Sequence, residues 1–353
     1  MQIVITGGAG FVGTNLCIQL AERYPDAQIT AFDNLRRVGS ESNLVDLRDA
    51  KVKFVRGDIR CPEDLDNLGD FDVMIECSAE PSVLAGIDAG HRYVVNNNLV
   101  GAINCFDFCV KRSARVIFLS TSRVYPIDRL ESAAFIEEPT RYTLASNQTE
   151  PGISELGISE SLNLTGARSL YGATKLAAEL MLEEYTRFLG LGSSIIRFGV
   201  IAGPRQMGKS DQGIASLWMA RHLWGGQLKY IGYGGTGKQV RDILHVDDVV
   251  DLIDFNLHTP QKFDGKVFNA GGGLENTLSL LEMSKLCTSI VGRDLEIAGE
   301  QNNRPADLRS YVTDNRLITG ETGWKPTRDV KRVFTDLFSW MRKNEAALKP
   351  ILS

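Results

Sequence analysis

Gln2-Ile3-Val4-Ile5-Thr6-Gly7-Gly8-Ala9-Gly10-Phe11-Val12-Gly13 opens the chain, and its reading decides the fold. The short apolar run at residues 2–6 predicts a buried strand, and a helix is expected over residues 13–23. Between them, Gly7, Gly10 and Gly13 are spaced G-x-x-G-x-x-G. This spacing differs by one residue from the G-x-G-x-x-G of dinucleotide-binding turns, but it meets the same physical demand. The first glycine permits a tight turn, and the second lets a pyrophosphate approach the backbone. The third lets the helix pack close to the strand. Phosphates then lie on the positive end of that helix. Gly7, Gly10, Phe11, Val12 and Gly13 are therefore the expected phosphate seat.

Working outward, apolar runs predict further strands over residues 28–33, 52–58, 71–76, 114–120 and 193–198, with a helix near 99–111. Strands alternating with helices imply βαβ units. Their crossovers are right-handed, which leads to an α/β fold with a Rossmann-type, doubly wound parallel sheet. Beyond residue 199 the rhythm breaks, and helices recur near 279–291 and 330–343. This predicts a dinucleotide-binding domain over 1–198, with segments near 240–270 returning to it. A smaller interleaved α/β substrate domain is expected over 199–239 and 271–330, and a C-terminal helix over 331–353. The polar stretch 127–169 carries few strand or helix signals, and a loop of that length is usually functional.

Asp33 ends the second strand, 20 residues after Gly13, where a carboxylate accepts ribose hydroxyls. An acid there repels a 2′-phosphate, which favours NAD over NADP, while Arg36 and Arg37 keep NADP open. Asp58-Ile59 closes the third strand, where an adenine edge would lie, although Asp58 also reads as a turn former.

Composition narrows the class further. The chain has 353 residues, 43% hydrophobic and 24% charged, which excludes a disordered or fibrous protein. A net charge of −5 offers no basic field for nucleic acid or an anionic membrane. Only four histidines occur, so chemistry built on a histidine cluster is not expected. None of the six cysteines forms a Cys-x-x-Cys pair, which argues against a zinc ribbon, and no metal is expected. Cys105 and Cys109 read as buried reduced thiols. No signal peptide and no run of 18 apolar residues is seen, so a cytoplasmic location is expected.

Tyr171-Gly172-Ala173-Thr174-Lys175 places a phenol and an ammonium four residues apart at the start of a helix that Gly190 is expected to stop. Residues i and i+4 share one helical face. An ammonium beside a phenol favours the phenolate, a general base able to take a proton from a sugar hydroxyl. Thr121, in Ser120-Thr121-Ser122 after the fifth strand, is expected to hydrogen-bond the reacting oxygen, with Ser120 or Ser122 as alternatives. Strand ends are where open α/β sheets bind ligands.

These segments resemble an extended short-chain dehydrogenase/reductase of the nucleotide-sugar epimerase and dehydratase group. The resemblance spans nearly the whole chain. It rests on the glycine loop, Asp33-Asn34, Gly57-Asp58-Ile59, Asn98-Leu99-Val100-Gly101, Ser120-Thr121 with Val124-Tyr125, Tyr171-x-x-x-Lys175, and Arg241-Asp242-Ile243-Leu244-His245-Val246-Asp247-Asp248. Three segments are most similar to the CDP-paratose 2-epimerase (CDP-tyvelose epimerase) family. They are Thr140-Arg141-Tyr142-Thr143, Arg205-Gln206 with Asp211-Gln212-Gly213, and Gly235-Thr236-Gly237-Lys238-Gln239-Val240-Arg241-Asp242. That family carries a long insertion before its tyrosine, consistent with the gap between Thr121 and Tyr171.

The resemblance implies NAD as a retained catalyst. Tyr171 deprotonates the C2 hydroxyl as the C2 hydride leaves, the 2-keto sugar reorients, and the hydride returns to the other face. It assigns cofactor contacts to Asn34, Asp58, Ile59, Ser78, Ala79, Asn98, Tyr171 and Lys175 beside the glycine loop and Asp33. It assigns substrate contacts to Ser122, Arg123, Arg205, Gln206, Asp211, Gln212, Arg241 and Arg304, with Arg241 and Arg304 clamping a diphosphate. The implied partner is a nucleotide-diphospho-sugar, a CDP-sugar in the first instance, and a homo-oligomer (dimer or tetramer) is expected.

The sequence also departs from the family at Val200, at Ala79-Glu80 and at Pro126, which bears on the sugar rather than on the fold. A 4,6-dehydratase of this group places Asp-Glu after its threonine, whereas Ser122-Arg123 stands here. Another epimerase or reductase acting on a UDP- or GDP-sugar, and a non-catalytic dinucleotide binder, remain alternatives.

Overall fold

A computed structural model describes residues 1–87, 89–208 and 212–352. Seven strands form the central sheet: β1 (Gln2–Thr6), β2 (Gln28–Asp33), β3 (Lys53–Arg56), β4 (Val73–Glu76), β5 (Arg115–Thr121), β6 (Ser193–Phe198) and β7 (Lys266–Ala270). Their spatial order is β7-β6-β5-β4-β1-β2-β3. β1 pairs in parallel with both β2 and β4, β2 pairs in parallel with β3, and β4 with β5. Chain order reverses between β1 and β4, the switch point where such sheets bind ligands beyond their carboxyl ends. Thr6, Asp33, Glu76 and Thr121 each end a strand at that edge. The doubly wound α/β sheet expected from the sequence is present.

Strands covered on both faces read as continuous apolar runs. Every residue of β4, and all but the first of β1, is buried. Three helices matter for the site: α1 (Phe11–Arg23), α2 (Gly101–Arg112) and α3 (Leu170–Leu189). On one side of the sheet, Phe106 of α2 meets Phe118 of β5 edge-on at 5.6 Å and Tyr185 of α3 at 5.9 Å. Ala178 and Leu182 of α3 complete this core with Cys105 and Cys109. Both thiols are free and buried.

The chain divides into two compact units. The first is Met1–Thr121, Leu170–Arg197 and Val250–Phe268; the second is Ser122–Ser169, Phe198–Val249 and Asn269–Ser353. The division differs from the sequence boundary at 198, because residues 122–169 fall in the second unit. Nor is that stretch featureless. It contains a helical turn, Ile127–Glu131, and hairpins formed by Phe135–Glu137 with Tyr142–Leu144 and by Ile153–Ser154 with Gly157–Ile158. Backbone bonds from Tyr142 N–H to Lys238 C=O (3.0 Å) and from Ile158 N–H to Val312 C=O (2.8 Å) tie it there. Short polar hairpins carry little hydrophobic periodicity, which is why the sequence does not show them.

The C-terminal segment forms two helices, Val330–Lys343 and Glu345–Leu352. Val333, Phe334, Leu337, Met341 and Leu348 belong to the apolar core of the second unit, so this segment is part of that unit.

Candidate active site

The glycine turn is built as its spacing requires. Gly7 has φ +63°, a conformation side chains rarely adopt. A Cβ on Gly13 would lie 2.2 Å from the Gly7 carbonyl oxygen, so only glycine lets the first turn of α1 sit on the loop. The helix begins at Phe11, two residues before the expected start, with Gly13 inside its first turn. Gly10 is the N-cap, and no side chain caps the helix. Uncapped first-turn N–H groups with the helix dipole behind them suit an anion. Thr14 Oγ1 donates to the Gly8 carbonyl at 3.1 Å and fixes the turn from within.

Asp33 accepts the Ala9 N–H at 3.1 Å through one carboxylate oxygen and the Leu35 N–H at 2.8 Å through the other. Burial pushes its pKa above the usual carboxylate value, and those two N–H groups oppose the shift. Each carboxylate oxygen keeps a lone pair for a further donor. Uncapped helix, glycine-only turn and carboxylate at the end of β2 together fit a dinucleotide carrying a ribose diol. Arg36 stacks over the Tyr93 ring at 4.3 Å.

The structure gives other expected cofactor residues internal partners. Asp58 accepts from Arg60 at 2.5 Å and from Asn34 Nδ2 at 3.0 Å. The Arg60 guanidinium lowers its pKa to about 2. Ile59 is buried in the core and lies under Gly101. Asn98 accepts the Glu80 N–H at 2.7 Å and donates to the Glu80 carbonyl at 3.1 Å, and to Thr174 Oγ1 at 3.3 Å. The side chains of Asp58, Ile59 and Asn98 thus hold loops in place. Ser78 N–H donates to Glu76 Oε1 at 2.9 Å, and Ala79 follows it in the loop after β4.

Tyr171 and Lys175 lie in the first turns of α3, both buried, and Thr121 ends β5, also buried. Lys175 Nζ is 3.6 Å from Glu76 Oε2 and 3.8 Å from the centre of the Phe118 ring. Burial lowers the basicity of Lys175 below the usual ammonium value, with Glu76 opposing. The alternative hydroxyl, Ser120, is already engaged: its Oγ donates to Glu179 Oε1. Glu179 in turn accepts from Arg197 at 2.7 and 3.2 Å, all three being buried.

Sequence reading missed Glu76, Glu179 and Arg197. Each is a charged residue in an apolar strand or on an apolar helix face, which was the available signal. Removing one partner of a buried ion pair strands the other, so Glu179→Ala is expected to cost about 3–5 kcal/mol in urea unfolding. An equal midpoint for variant and wild type would show the pair to be dispensable.

In the second unit, Arg241 donates to Asp307 at 2.8 Å and to the Val240 carbonyl at 2.7 Å. Arg123 donates to the Ala306 carbonyl at 3.1 Å. Arg123 and Arg241 therefore meet on the segment that Arg304 begins. The Arg309 guanidinium lies over Phe135, Tyr142 and Tyr233 at 5.0, 5.7 and 5.6 Å. Two of the family-like segments, 140–143 and 235–242, thus converge near 304–309. Gln206 stands apart: its amide donates to the Ile201 carbonyl and accepts from Ser216, both at 2.8 Å, which makes it a brace of its own loop. Arg205 has φ +73°. Ser122 opens a short 3-10 turn, Ser122–Val124, and Gln212 lies beside Gly213, the N-cap of the helix Ile214–Trp224. Asp211 lies outside the described residues. Among the described residues no group of three or more His, Cys, Asp or Glu could hold a metal ion, and no helix is long and apolar enough to cross a membrane.

A Rossmann-type sheet with a glycine turn and a tyrosine–lysine helix defines the dinucleotide-dependent class. The profile of the NAD dependent epimerase/dehydratase family matches residues 3–271, and the chain belongs to that family. It is an enzyme of the NAD-dependent epimerase/dehydratase kind.

CDP-paratose 2-epimerase of Salmonella typhi is 31% identical over 348 residues, 96% of this chain and 99% of that protein. A dTDP-glucose 4,6-dehydratase of Mycobacterium tuberculosis is 25% identical, covering 99% of this chain and 96% of the relative. Among solved structures, a dTDP-glucose 4,6-dehydratase of Streptomyces venezuelae with NAD bound superposes with a TM-score of 0.79 at 26% identity, over 99% of this chain and 100% of that one. UDP-glucuronic acid 4-epimerase of Bacillus cereus shares the fold, with a TM-score of 0.79 at 22% identity, over 97% and 99% of the two chains.

Proposed function

We propose that the protein inverts C2 of a CDP-linked sugar, CDP-paratose to CDP-tyvelose, with NAD retained. The observation that carries this reading is the buried pair Tyr171 and Lys175 on one helix at the ligand edge of the sheet, with Ser122-Arg123 following Thr121. The near full-length likeness to a CDP-paratose 2-epimerase supports the choice of sugar. Gly7, Gly10, Phe11, Val12 and Gly13 would hold the pyrophosphate, and Asp33 the ribose. When bound, NAD supplies a reversible acceptor for the C2 hydride.

The chain's own groups manage the proton and the orientation. Tyr171, as phenolate, takes the proton of the C2 hydroxyl, and the Lys175 ammonium favours that phenolate. Thr121 donates a hydrogen bond to the same oxygen, whose negative charge grows as the proton leaves. Tyr171 later returns the proton when C2 is reduced on its other face. Arg241 and Arg304 bind the diphosphate, a task suited to the planar guanidinium fork. A 4,6-elimination needs a carboxylic acid to protonate its leaving hydroxyl, and Ser122-Arg123 supplies none.

Incubation with CDP-paratose is expected to give C2-inverted product by NMR with no net change in nicotinamide absorbance. Turnover of UDP-sugars alone would overturn the CDP-sugar assignment while leaving the family intact.

A further inference from the structure

Glu76 is the most deeply buried acid beside the proposed catalytic pair, and no step of the proposed reaction uses it. It ends β4 with no solvent exposure. Its Oε1 is satisfied, accepting from Ser78 N–H at 2.9 Å and Thr6 Oγ1 at 3.4 Å. Its Oε2 makes no hydrogen bond among the described residues and faces Lys175 Nζ at 3.6 Å. An ionised carboxylate in such a place is costly without a counter-charge, and so is a buried ammonium. Burial raises the pKa of Glu76 and lowers that of Lys175, and each shift is opposed by the other group.

The other groups near this pair do not replace Glu76. Glu179, on α3, is already held by Arg197 of β6 and by Ser120 of β5. Cys77, partly exposed, and Cys105, buried, are thiols whose desolvation pushes their pKa well above the usual thiol value, so neither supplies a counter-charge. Phe118 of β5 gives the ammonium a ring face but no charge.

We propose that Glu76 is a positioning residue of the reaction: its carboxylate holds the Lys175 ammonium charged and fixed on the helix that carries Tyr171. The inference rests on the catalytic reading of Tyr171 and Lys175. It implies that the carboxylate acts through Lys175 and never touches the sugar.

Glu76→Gln keeps an oxygen for Ser78 and Thr6 and replaces the charged oxygen that faces Lys175 with a neutral NH2 group. Because an opposite charge within about 4–6 Å shifts a titration by about 1–3 units, the alkaline limb of the kcat–pH profile is expected to fall by about one unit or more. Turnover at neutral pH falls about tenfold or more, as expected when a base loses its activating neighbour, while KM for the sugar stays within about threefold. Glu76→Asp, which keeps the charge, restores most of the turnover. The independent readout is the 15N NMR titration of the Lys175 ammonium, which needs neither sugar nor turnover. In Glu76→Gln it is expected to lose its proton at lower pH than in the wild type.

Superimposable profiles and lysine titrations for Glu76→Gln and wild type would overturn the proposal. Should Glu76→Gln fail to fold, the wild-type titration decides: a lysine still protonated at neutral pH supports it, and a neutral amine there overturns it. If Tyr171→Phe leaves turnover intact, the catalytic reading fails while the lysine titration still reads the pair. If Tyr171→Phe abolishes turnover but the Glu76→Gln titration is unmoved, the positioning inference alone fails.

Discussion

Tyr171→Phe is expected to lower the rate of C2 inversion by about 10²–10⁴-fold, the usual weight of a positioned general base. The substitution removes one hydroxyl from a buried ring and leaves the packing of α3 unchanged. The loss should therefore fall on kcat, with little change in the thermal midpoint or in NAD binding. Other groups that could serve as a base are engaged elsewhere. Ser120 is bonded to Glu179. His222 and His245 are buried in the second unit, His222 against the Trp218 carbonyl and His245 against the Asp247 N–H. Rates within a few-fold of wild type would remove Tyr171 from the chemistry.

Gly13→Val has the second large effect. Its Cβ, whose position the backbone fixes, would lie 2.2 Å from the Gly7 carbonyl oxygen, a backbone atom that cannot swing aside. Forcing atoms into such a contact costs about 1–3 kcal/mol or more of stability. The same shift moves the first turn of α1 away from the seat of the pyrophosphate. A ligand at about 100 times its Kd adds about 2.7 kcal/mol of stability to the wild type by mass action. Gly13→Val is expected to lose that gain, so added NAD leaves its unfolding midpoint in place and denaturation releases no nucleotide. A variant stabilised by NAD as strongly as the wild type would contradict the assignment of this loop.

The fold was legible because parallel strands are buried on both faces and so read as apolar runs, and because Gly7 and Gly13 mark the turn between β1 and α1. That Tyr171 and Lys175 share one helix was legible in their spacing. What escaped was the partner of Lys175. Glu76 sits in Val73-Met74-Ile75-Glu76, where an acid at the end of an apolar strand has no periodicity of its own. Its meaning depends on Lys175, 99 positions away. Two residues assigned to ligands on resemblance, Asn98 and Gln206, also have internal partners. Asn98 answers the unpaired backbone of Glu80, and Gln206 that of Ile201. Short polar side chains satisfy loop backbone as readily as ligands, and sequence alone does not separate the two uses. The hairpins of residues 122–169 were hidden for a related reason: two- and three-residue strands leave too short a pattern to count.

The central claim is that C2 loses and regains its own hydrogen within one enzyme molecule while Tyr171 shuttles only the hydroxyl proton. CDP-paratose carrying deuterium at C2, turned over in ordinary water, tests it most directly. The expected result is an epimer that keeps the deuterium at C2, with no build-up of reduced nicotinamide. An epimer with hydrogen from solvent at C2 would contradict it, because inversion would then proceed by removing a carbon-bound proton.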